Sequence, residues 1–342
     1  MIVVSCDEPD TVVTNIVHPD GSVTRKIEMR SSKNKFELPG LQVPYDSTWA
    51  ITDSCEVSGK GDTTWIKRAE KLFKNIEEIN MFYLNDSGIN RKIPRHAGFS
   101  KKFRWFNTEY RFSEIIDKQI ASGYPVSNFL NDEELTYFYS PDYLKFNKEY
   151  GADSLRYRIL ADSIEKKSDK WLIKNVTPLW IEEFSRLTGS KAGPELSKES
   201  LMSRENEITA VIEENQNIFD SLWSDGKLLK KFIGEADAKA FKTEADSAVS
   251  LVISRFIPDF SDYSVRIVMP GRLTGTNGYP DSTKNLLWPV KSDFFITDQY
   301  EMWAESKTTN VWAWIISGVF LIFVSTGIII KRKSRRGAGL KP

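Results

Sequence analysis

The chain has 342 residues, and its 47 basic and 47 acidic side chains give a formal net charge of zero at pH 7. The cations are dispersed outside a C-terminal cluster, which excludes the basic footprint of a nucleic-acid-binding protein, so no nucleic-acid partner is expected. Hydrophobic residues make up 40% of the chain, which excludes disorder for most of it and is enough for a core in one large or two smaller domains.

The N-terminal residues have the form of a bacterial lipobox, with Val3-Val4-Ser5 directly before Cys6. A complete lipoprotein signal also has a basic segment and a longer apolar run, which the few preceding residues do not supply. We therefore predict a truncated lipoprotein signal and tether over residues 1–10, with Cys6 as the lipidated residue. The alternative is a disulfide between Cys6 and Cys55, the two cysteines of the chain, which would remove the lipoprotein interpretation.

Residues 11–125 are predicted to form a β-rich region with one amphipathic helix. Residues 11–18 and 22–30 are rich in β-branched or alternating apolar residues on either side of Pro19-Asp20-Gly21, which predicts a hairpin. Residues 48–57 continue this pattern and predict a third strand.

The predicted helix of this region begins at Thr63, an N-cap residue type. Apolar side chains then recur at spacings of three and four, which is the helical period: Ile66, Ala69, Phe73, Ile76 and Ile79. Aromatic and cationic residues alternate over residues 99–112 and predict a strand pair that turns at Asn107-Thr108.

Residues 126–258 are predicted to form a helical subdomain. Apolar stripes on a polar background predict its helices near residues 152–167, 178–187, 198–223 and 235–256. A further helix is predicted to begin at Ser140-Pro141 and to end at Gly151, because proline suits the first helical position.

Strand patterns return over residues 259–306, at residues 263–269, 285–290 and 299–305. Strands at both ends of the chain, with helices between them, predict an α+β fold: an antiparallel β-sheet from N- and C-terminal strands with a long helical insertion, plus one C-terminal transmembrane helix.

The transmembrane helix is predicted at residues 311–330, where 20 consecutive uncharged residues would cover roughly 30 Å of helix. A basic tail follows at residues 331–342 and is expected in the cytoplasm, which places the preceding ~300 residues outside it, in a cytoplasmic-membrane protein. The predicted membrane-interface residues are Trp312 and Trp314 on the outer side and Lys331, Arg332, Lys333, Arg335 and Arg336 on the inner side.

The C-terminal motifs carry a family resemblance. A strand ending in Met269-Pro270-Gly271, a Thr276-Asn277-Gly278 turn, a Leu287-Trp288 strand and residues 300–306 leading into a span resemble the LppM-like family of bacterial membrane lipoproteins. The resemblance implies a lipidated N-terminus, a β-rich extracytoplasmic domain and one C-terminal transmembrane helix with a short basic tail. It implies no catalytic residues.

No catalytic, cofactor-binding or metal-binding residues are predicted. The two histidines, His18 in a hairpin turn and His96 in a loop, lack the spacing of zinc ligands, and no G-x-S-x-G motif occurs. Adjacent carboxylates such as Glu133-Glu134 are expected on exposed helix faces. We therefore expect a protein that is not an enzyme.

The aromatic residues are unusually dense over one part of the chain and are expected either to pack the core or to line an apolar groove for a lipid or a partner's apolar segment. They are Phe103, Trp105, Phe106, Tyr110, Phe112, Phe129, Tyr137, Phe138, Tyr139, Tyr143 and Phe146.

Three functions follow from these patterns. The favoured one is an anchored, non-enzymatic envelope protein whose partners are the lipid bilayer and an envelope protein or lipid. The alternatives are a module that binds lipid or acyl chains, and an envelope hydrolase.

Overall fold

The structure is a computed structural model that describes residues 9–36, 44–85, 93–142, 154–214, 227–256, 261–281 and 285–338. The described residues form two β-sheets and a group of helices, which confirms the predicted α+β class. The strands are β1 (Asp10–Val17), β2 (Val23–Ser31), β3 (Ala50–Val57), β4 (Thr63–Phe73), β5 (Arg95–Phe103), β6 (Asn107–Ile116), β7 (Tyr263–Val268), β8 (Arg272–Thr276), β9 (Tyr279–Pro280), β10 (Leu286–Val290) and β11 (Tyr300–Thr309). The helices are α1 (Ile76–Leu84), α2 (Asp132–Tyr139), α3 (Ser154–Thr188), α4 (Lys198–Ser203), α5 (Glu205–Glu214), α6 (Lys227–Ala240), α7 (Lys242–Phe256) and α8 (Val311–Ala338).

The first sheet joins the two ends of the chain, in the order β3-β4-β2-β1-β7-β10-β9. Its β1–β2 hairpin is the predicted one, and Gly21 in the turn has a φ of +95°, which a glycine adopts without strain. The pairing of β1 with β7 is parallel, with Val13 opposite Val265, so the sheet is mixed rather than wholly antiparallel. A parallel pair needs a long crossover, and the chain from β2 to α7, which includes the helical insertion, supplies it.

The predicted helix from Thr63 is wrong, because Thr63–Phe73 is strand β4, which pairs with both β2 and β3. Strand residues point alternately to opposite faces, and β4 buries Ile66 on one face and Ala69 and Phe73 on the other. Because β4 buries residues on both faces, its apolar residues are spaced by three and four, which is also the spacing of a helix. The helix of this region begins at Ile76, after Asn75 accepts a hydrogen bond from the backbone N–H of Glu78.

The second sheet has the order β5-β6-β11-β8 and was not predicted as a separate sheet. Its β5–β6 pair turns at residues 104–106, so the predicted turn at Asn107-Thr108 is wrong, and those residues begin β6. His96 lies in β5, opposite Ile115, and not in a loop. Gly271 ends the turn from β7 to β8, where a Cβ atom would lie 2.5 Å from the carbonyl oxygen of Lys307. Only glycine fits this close approach.

One hydrophobic core contains residues from both sheets and from α1, so the sheets are packed together rather than forming separate domains. Its fully buried large side chains include Ile27, Phe73, Ile79, Phe112 and Trp288.

The helices between Ser154 and Phe256 form a second core around Trp180 and Phe184, whose rings stack with centroids 5.0 Å apart. Helix α3 is one continuous helix of 35 residues that includes Pro178, where two separate helices were predicted. Proline removes one hydrogen bond of the helix ladder. The helix nevertheless continues through Pro178 and buries Trp180, Ile181 and Phe184 on the next turns. The predicted helix 198–223 is two short helices, α4 and α5, as far as residue 214. Most of the helix predicted after Ser140 lies outside the described residues.

Helix α2 is fixed to α3 through the buried carboxylate of Glu134. It accepts two hydrogen bonds from Lys167 Nζ, at 2.7 and 2.8 Å, one from Ser163 Oγ at 2.7 Å, and one from the backbone N–H of Asn131 at 2.9 Å. The last bond completes a capping box, because the Asn131 side chain accepts from the N–H of Glu134 in return. The Lys167 ammonium is the main cause that lowers the pKa of Glu134 from 4.5 to about 2. The prediction of exposed carboxylates at Glu133-Glu134 is therefore wrong for Glu134.

This carboxylate makes stability depend on pH in acid. A carboxylate whose pKa is lowered by folding stabilises the fold above its unfolded pKa, so this contribution is lost as pH falls from 4.5 towards 2. We expect Glu134→Gln to be less stable than the wild type at pH 6 and to lose less stability than the wild type on acidification. The measurement is the unfolding midpoint in detergent across this range. Asp132→Asn, an exposed neighbour in the same turn, is the control and should keep the wild-type slope.

Candidate functional site at the start of the C-terminal helix

Helix α8 presents an apolar surface that the rest of the protein does not cover. Its stretch Val311–Arg332 has a mean hydropathy of 2.4, and only 6% of its most apolar window is buried. Among the described helices it is the one that is long and apolar enough to cross a membrane. Its 22 residues extend over about 33 Å, which matches the hydrocarbon thickness of a bilayer.

Asn310 is the single residue between β11 and α8, and it ties the start of the helix to the β5–β6 turn. Its Nδ2 donates to the carbonyl oxygens of Arg104 at 2.7 Å and Trp105 at 3.3 Å, and its Oδ1 accepts from Thr108 Oγ1 at 3.0 Å. Its backbone N–H donates to the Phe106 carbonyl at 3.0 Å. Asn310 was not among the predicted site residues, although asparagine directly before an apolar helix is a frequent N-cap.

Five aromatic side chains surround this connection, and we name them the aromatic collar: Phe103, Trp105, Phe106, Trp312 and Trp314. Phe103 stacks on Trp312 with centroids 6.2 Å apart, and Trp105 meets the same ring edge-on at 5.4 Å. The rings of Phe106 and Trp314 are 4.4 Å apart. All five remain 39–57% exposed, so the collar pairs aromatic rings that the core does not bury. Partly exposed Trp of this kind is typical of the membrane–water interface.

The collar extends along the helix rather than only capping its end. Trp105 Nε1 donates to Ser317 Oγ at 3.0 Å, and Ser317 lies six residues after Val311, which is about 9 Å along the helix axis. The β5–β6 turn therefore lies beside the first two helical turns. Any bilayer that receives α8 must also accommodate this turn in its interfacial layer.

The predicted interface residues fall at both ends of α8. Trp312 and Trp314 are in its first turn and belong to the collar, whereas Lys331 and Arg332 are exposed near its other end. Lys333, Arg335 and Arg336 continue the same helix, which ends at Ala338. The proposed lipidation residue, Cys6, lies outside the described residues. The thiol of Cys55 is exposed on β3.

The aromatic residues predicted as one group do not form one surface. Tyr110 and Phe112 are buried beneath the second sheet. Phe138 and Tyr139 of α2 pack on Phe294, with centroids 5.4 and 5.0 Å apart, and Phe129 joins the cluster around Trp171. Tyr137 lies against Tyr157, while Tyr143 and Phe146 are outside the described residues. These contacts divide the set between core packing and the collar.

A buried polar cluster of Asn15, Arg25, Tyr83 and Glu114 lies between the sheets. Arg25 Nη2 is 2.9 Å from Glu114 Oε2, and Arg25 Nε donates to Asn15 Oδ1 at 2.8 Å. Tyr83 OH accepts from Arg25 and donates to Glu114, and Asn15 Nδ2 donates to Glu114 Oε2 at 3.2 Å. Burial is the main cause that raises the pKa of Tyr83, so its hydroxyl keeps its proton. Every charged group of the cluster is thus paired within it, which suits a structural connection better than a reactive centre.

The other polar groups considered in the sequence lie apart from one another. His18 Nε2 is 2.9 Å from Thr24 Oγ1 across the β1–β2 hairpin, whereas His96 is on the outward face of β5. Within the described ranges, no three His, Cys, Asp or Glu side chains group as metal ligands. Open depressions of about 410 and 360 Å³ lie on the helical region, and the second is lined mainly by charged residues such as Asp162, Lys166 and Asp169.

Comparison with known proteins identifies no family. No protein-family model matches the chain, and no curated protein matches it. Among solved structures, the chain aligns with the folded domain of LppM from Mycobacterium tuberculosis, determined by NMR, over 89% of this chain and 92% of that one. The sequence identity is 9% and the TM-score is 0.28, which is too low to establish a shared fold. Membership of the LppM-like family therefore stays a prediction.

Proposed function

We propose that the protein is a membrane-anchored component of a bacterial cell envelope whose domain outside the cytoplasm binds another envelope component without catalysing a reaction. The observation that carries this proposal is the uncovered apolar surface of α8, held to the folded domain by Asn310 and the aromatic collar. Such a helix in water would expose a large apolar area, and the bilayer is the environment that removes this cost.

The connection between domain and helix favours a scaffold over a loose tether. Strand β11 is paired with β8 as far as Lys307 and with β6 as far as Thr309, the residue directly before Asn310. No flexible linker separates the sheet from α8, so the folded domain has a fixed orientation relative to the helix. A domain mounted in this way presents the same surfaces to every neighbour in the membrane plane, at a raised effective concentration.

The proposed orientation places the collar in the outer leaflet and the basic end of α8 in the cytoplasm. Lys331 and Arg332 begin the basic cluster that follows the apolar stretch, and such clusters stay on the cytoplasmic side. An acyl chain on Cys6 would add a second anchor to the same membrane. The two alternative functions stay predictions, because a lipid-binding module needs an enclosed apolar cavity and a hydrolase needs convergent carboxylates or a serine beside His18 or His96.

The test is protease accessibility in spheroplasts from cells that produce the protein with a C-terminal tag. We expect added protease to digest the domain and to leave a short tagged fragment that contains α8. The tag should become sensitive only after the membrane is permeabilised. Survival of the domain in intact spheroplasts, with loss of the tag, would reverse the orientation and overturn the proposal.

A further inference from the structure

A row of charged residues crosses the outward face of the second sheet next to the collar. Lys102 of β5 is opposite Glu109 of β6, Glu109 is opposite Lys307 of β11, and Lys307 is opposite Arg272 of β8. We name these four residues the basic row. Directly opposed residues share a face of the sheet, and the neighbours of Glu109 and Lys307 along their strands, Tyr110 and Ser306, are buried on the other face.

The positive charge of this row is not neutralised within the described part of the protein. The single carboxylate, Glu109, is 3.4 Å from Arg104, a fourth cation that lies in the β5–β6 turn. Lys102, Lys307 and Arg272 form no ion pair with another described residue. Lys307 and Arg272 are directly opposed like charges, an arrangement that destabilises a sheet unless an anion lies near them.

The charged residues next to the basic row on the same sheet, by contrast, neutralise one another. Arg111 Nη1 is 2.8 Å from Glu305 and its Nη2 is 3.1 Å from Glu301, while the guanidinium lies 4.7 Å above the ring of Trp303. One cation there has two carboxylates. The excess of cations over carboxylates is thus concentrated in the row nearest the helix.

The position of the basic row relative to α8 matches the depth of lipid phosphates. Lys307 lies three residues before Asn310, which is about 10 Å along a strand. Lys102 directly precedes Phe103 of the collar. Extended lysine and arginine side chains reach several ångströms from the backbone, so ammonium and guanidinium groups placed here lie above the hydrocarbon boundary, within reach of the headgroup layer.

We propose that the basic row binds the phosphates of anionic phospholipids in the leaflet that surrounds the collar. This inference rests on the proposed function, because it requires α8 to span a bilayer. Arg272 can donate two parallel hydrogen bonds to a phosphate, and the lysines supply point charges that favour an anionic over a zwitterionic headgroup. The domain would then recruit its own lipid environment in addition to being anchored in it.

The test uses the full-length protein in phosphatidylcholine nanodiscs that contain a small fraction of spin-labelled phosphatidylglycerol, or spin-labelled phosphatidylcholine as the reference lipid. The readout is the immobilised fraction of each label in electron paramagnetic resonance spectra. We expect about a twofold excess of immobilised phosphatidylglycerol over phosphatidylcholine, decreasing as salt is raised.

The test variant is Lys102→Ala with Arg272→Ala and Lys307→Ala, which should lose part of this excess. The matched control, Lys60→Ala with Lys231→Ala and Lys239→Ala, removes the same charge from exposed positions away from the collar and should keep it. All of these proteins retain the basic end of α8. The lipid that this end immobilises in the other leaflet is therefore the same in every sample.

The outcomes separate the two proposals. A triple variant that retains the full excess, or a control that loses as much as the triple variant, would overturn the role of the basic row. In either case resistance of the protein to extraction by alkaline carbonate would leave the proposed anchoring intact. Extraction of the wild type by carbonate would instead contradict the proposed function itself.

Discussion

Replacing Glu114 by glutamine is expected to lower the free energy of unfolding by about 3–5 kcal/mol. Glutamine keeps the size of the side chain and can still accept a hydrogen bond, but it removes the only carboxylate of the buried polar cluster. Arg25, which is 2% exposed, would then remain charged in the core without a counter-ion. The guanidinium group cannot avoid this cost by losing its proton, because arginine stays protonated even when it is buried.

The matched control is Glu109→Gln on the same strand, where an exposed carboxylate should change stability by about 0–1 kcal/mol. The double variant Arg25→Met with Glu114→Gln removes both charges and should regain part of the loss. Urea unfolding in detergent, followed by tryptophan fluorescence, measures all three. A Glu114→Gln protein as stable as the Glu109→Gln protein would show that the cluster does not hold the sheets together.

The buried polar cluster also links the core to the proposed anchor. Arg25 and Asn15 lie on the first sheet, Tyr83 on α1 and Glu114 on β6 of the second sheet. Strand β6 pairs along its whole length with β11, which leads into α8. Substitutions that break the buried polar cluster should therefore change the orientation of the folded domain relative to the helix and also lower the stability of that domain.

Ending the chain after Asn310 is expected to transfer the protein from the membrane fraction to the soluble fraction when Cys6 is also replaced by serine. The truncation removes the whole apolar surface of α8, and Cys6→Ser removes the acyl chain that is the proposed second anchor. The measurement is sedimentation after carbonate treatment, with circular dichroism of the released domain to verify its fold. The full-length Cys6→Ser protein is the control and should stay in the pellet.

A point variant keeps this test informative if the truncated chain aggregates through its exposed collar residues. In the Cys6→Ser background, Ile322→Lys with Phe323→Lys places two charges in the middle of the apolar stretch, each unfavourable for membrane insertion by about 2.5–3.5 kcal/mol. This protein retains the collar contacts and should also leave the carbonate-resistant fraction. Continued sedimentation of both altered chains with membranes would show that α8 is not the anchor.

Many of the strands were predictable because patterns of neighbouring residues determine them. The β1–β2 hairpin follows from alternation around Pro19-Asp20-Gly21, and β7, β10 and β11 follow from the strand patterns at residues 263–269, 285–290 and 299–305. The strand β4 was not predictable in this way, because burial of Ile66 on one face and Phe73 on the other requires layers that the sequence does not reveal. Likewise, the parallel pairing of β1 with β7 depends on residues far apart in the chain.

The residues of the candidate site also divide into those that the sequence predicts and those that only the structure reveals. Trp312, Trp314 and the apolar stretch of α8 were found from the sequence, since hydrophobicity over 20 residues is a property of one segment. Asn310 and the partners of these tryptophans in the β5–β6 turn were not found, because they meet only when β11 pairs with β6.

The sequence by itself determined the α+β composition and the apolar C-terminal helix, since both depend on the order of residues within one segment. Only the tertiary structure decided that two sheets share a core, that Arg25 meets Glu114, and that three cations line up beside the collar. The physical reason is the separation of the interacting residues along the chain. Periodicity and the length of an apolar stretch are properties of neighbouring residues, whereas charge pairing and ring contacts here join residues that are far apart in the chain and that only folding brings together.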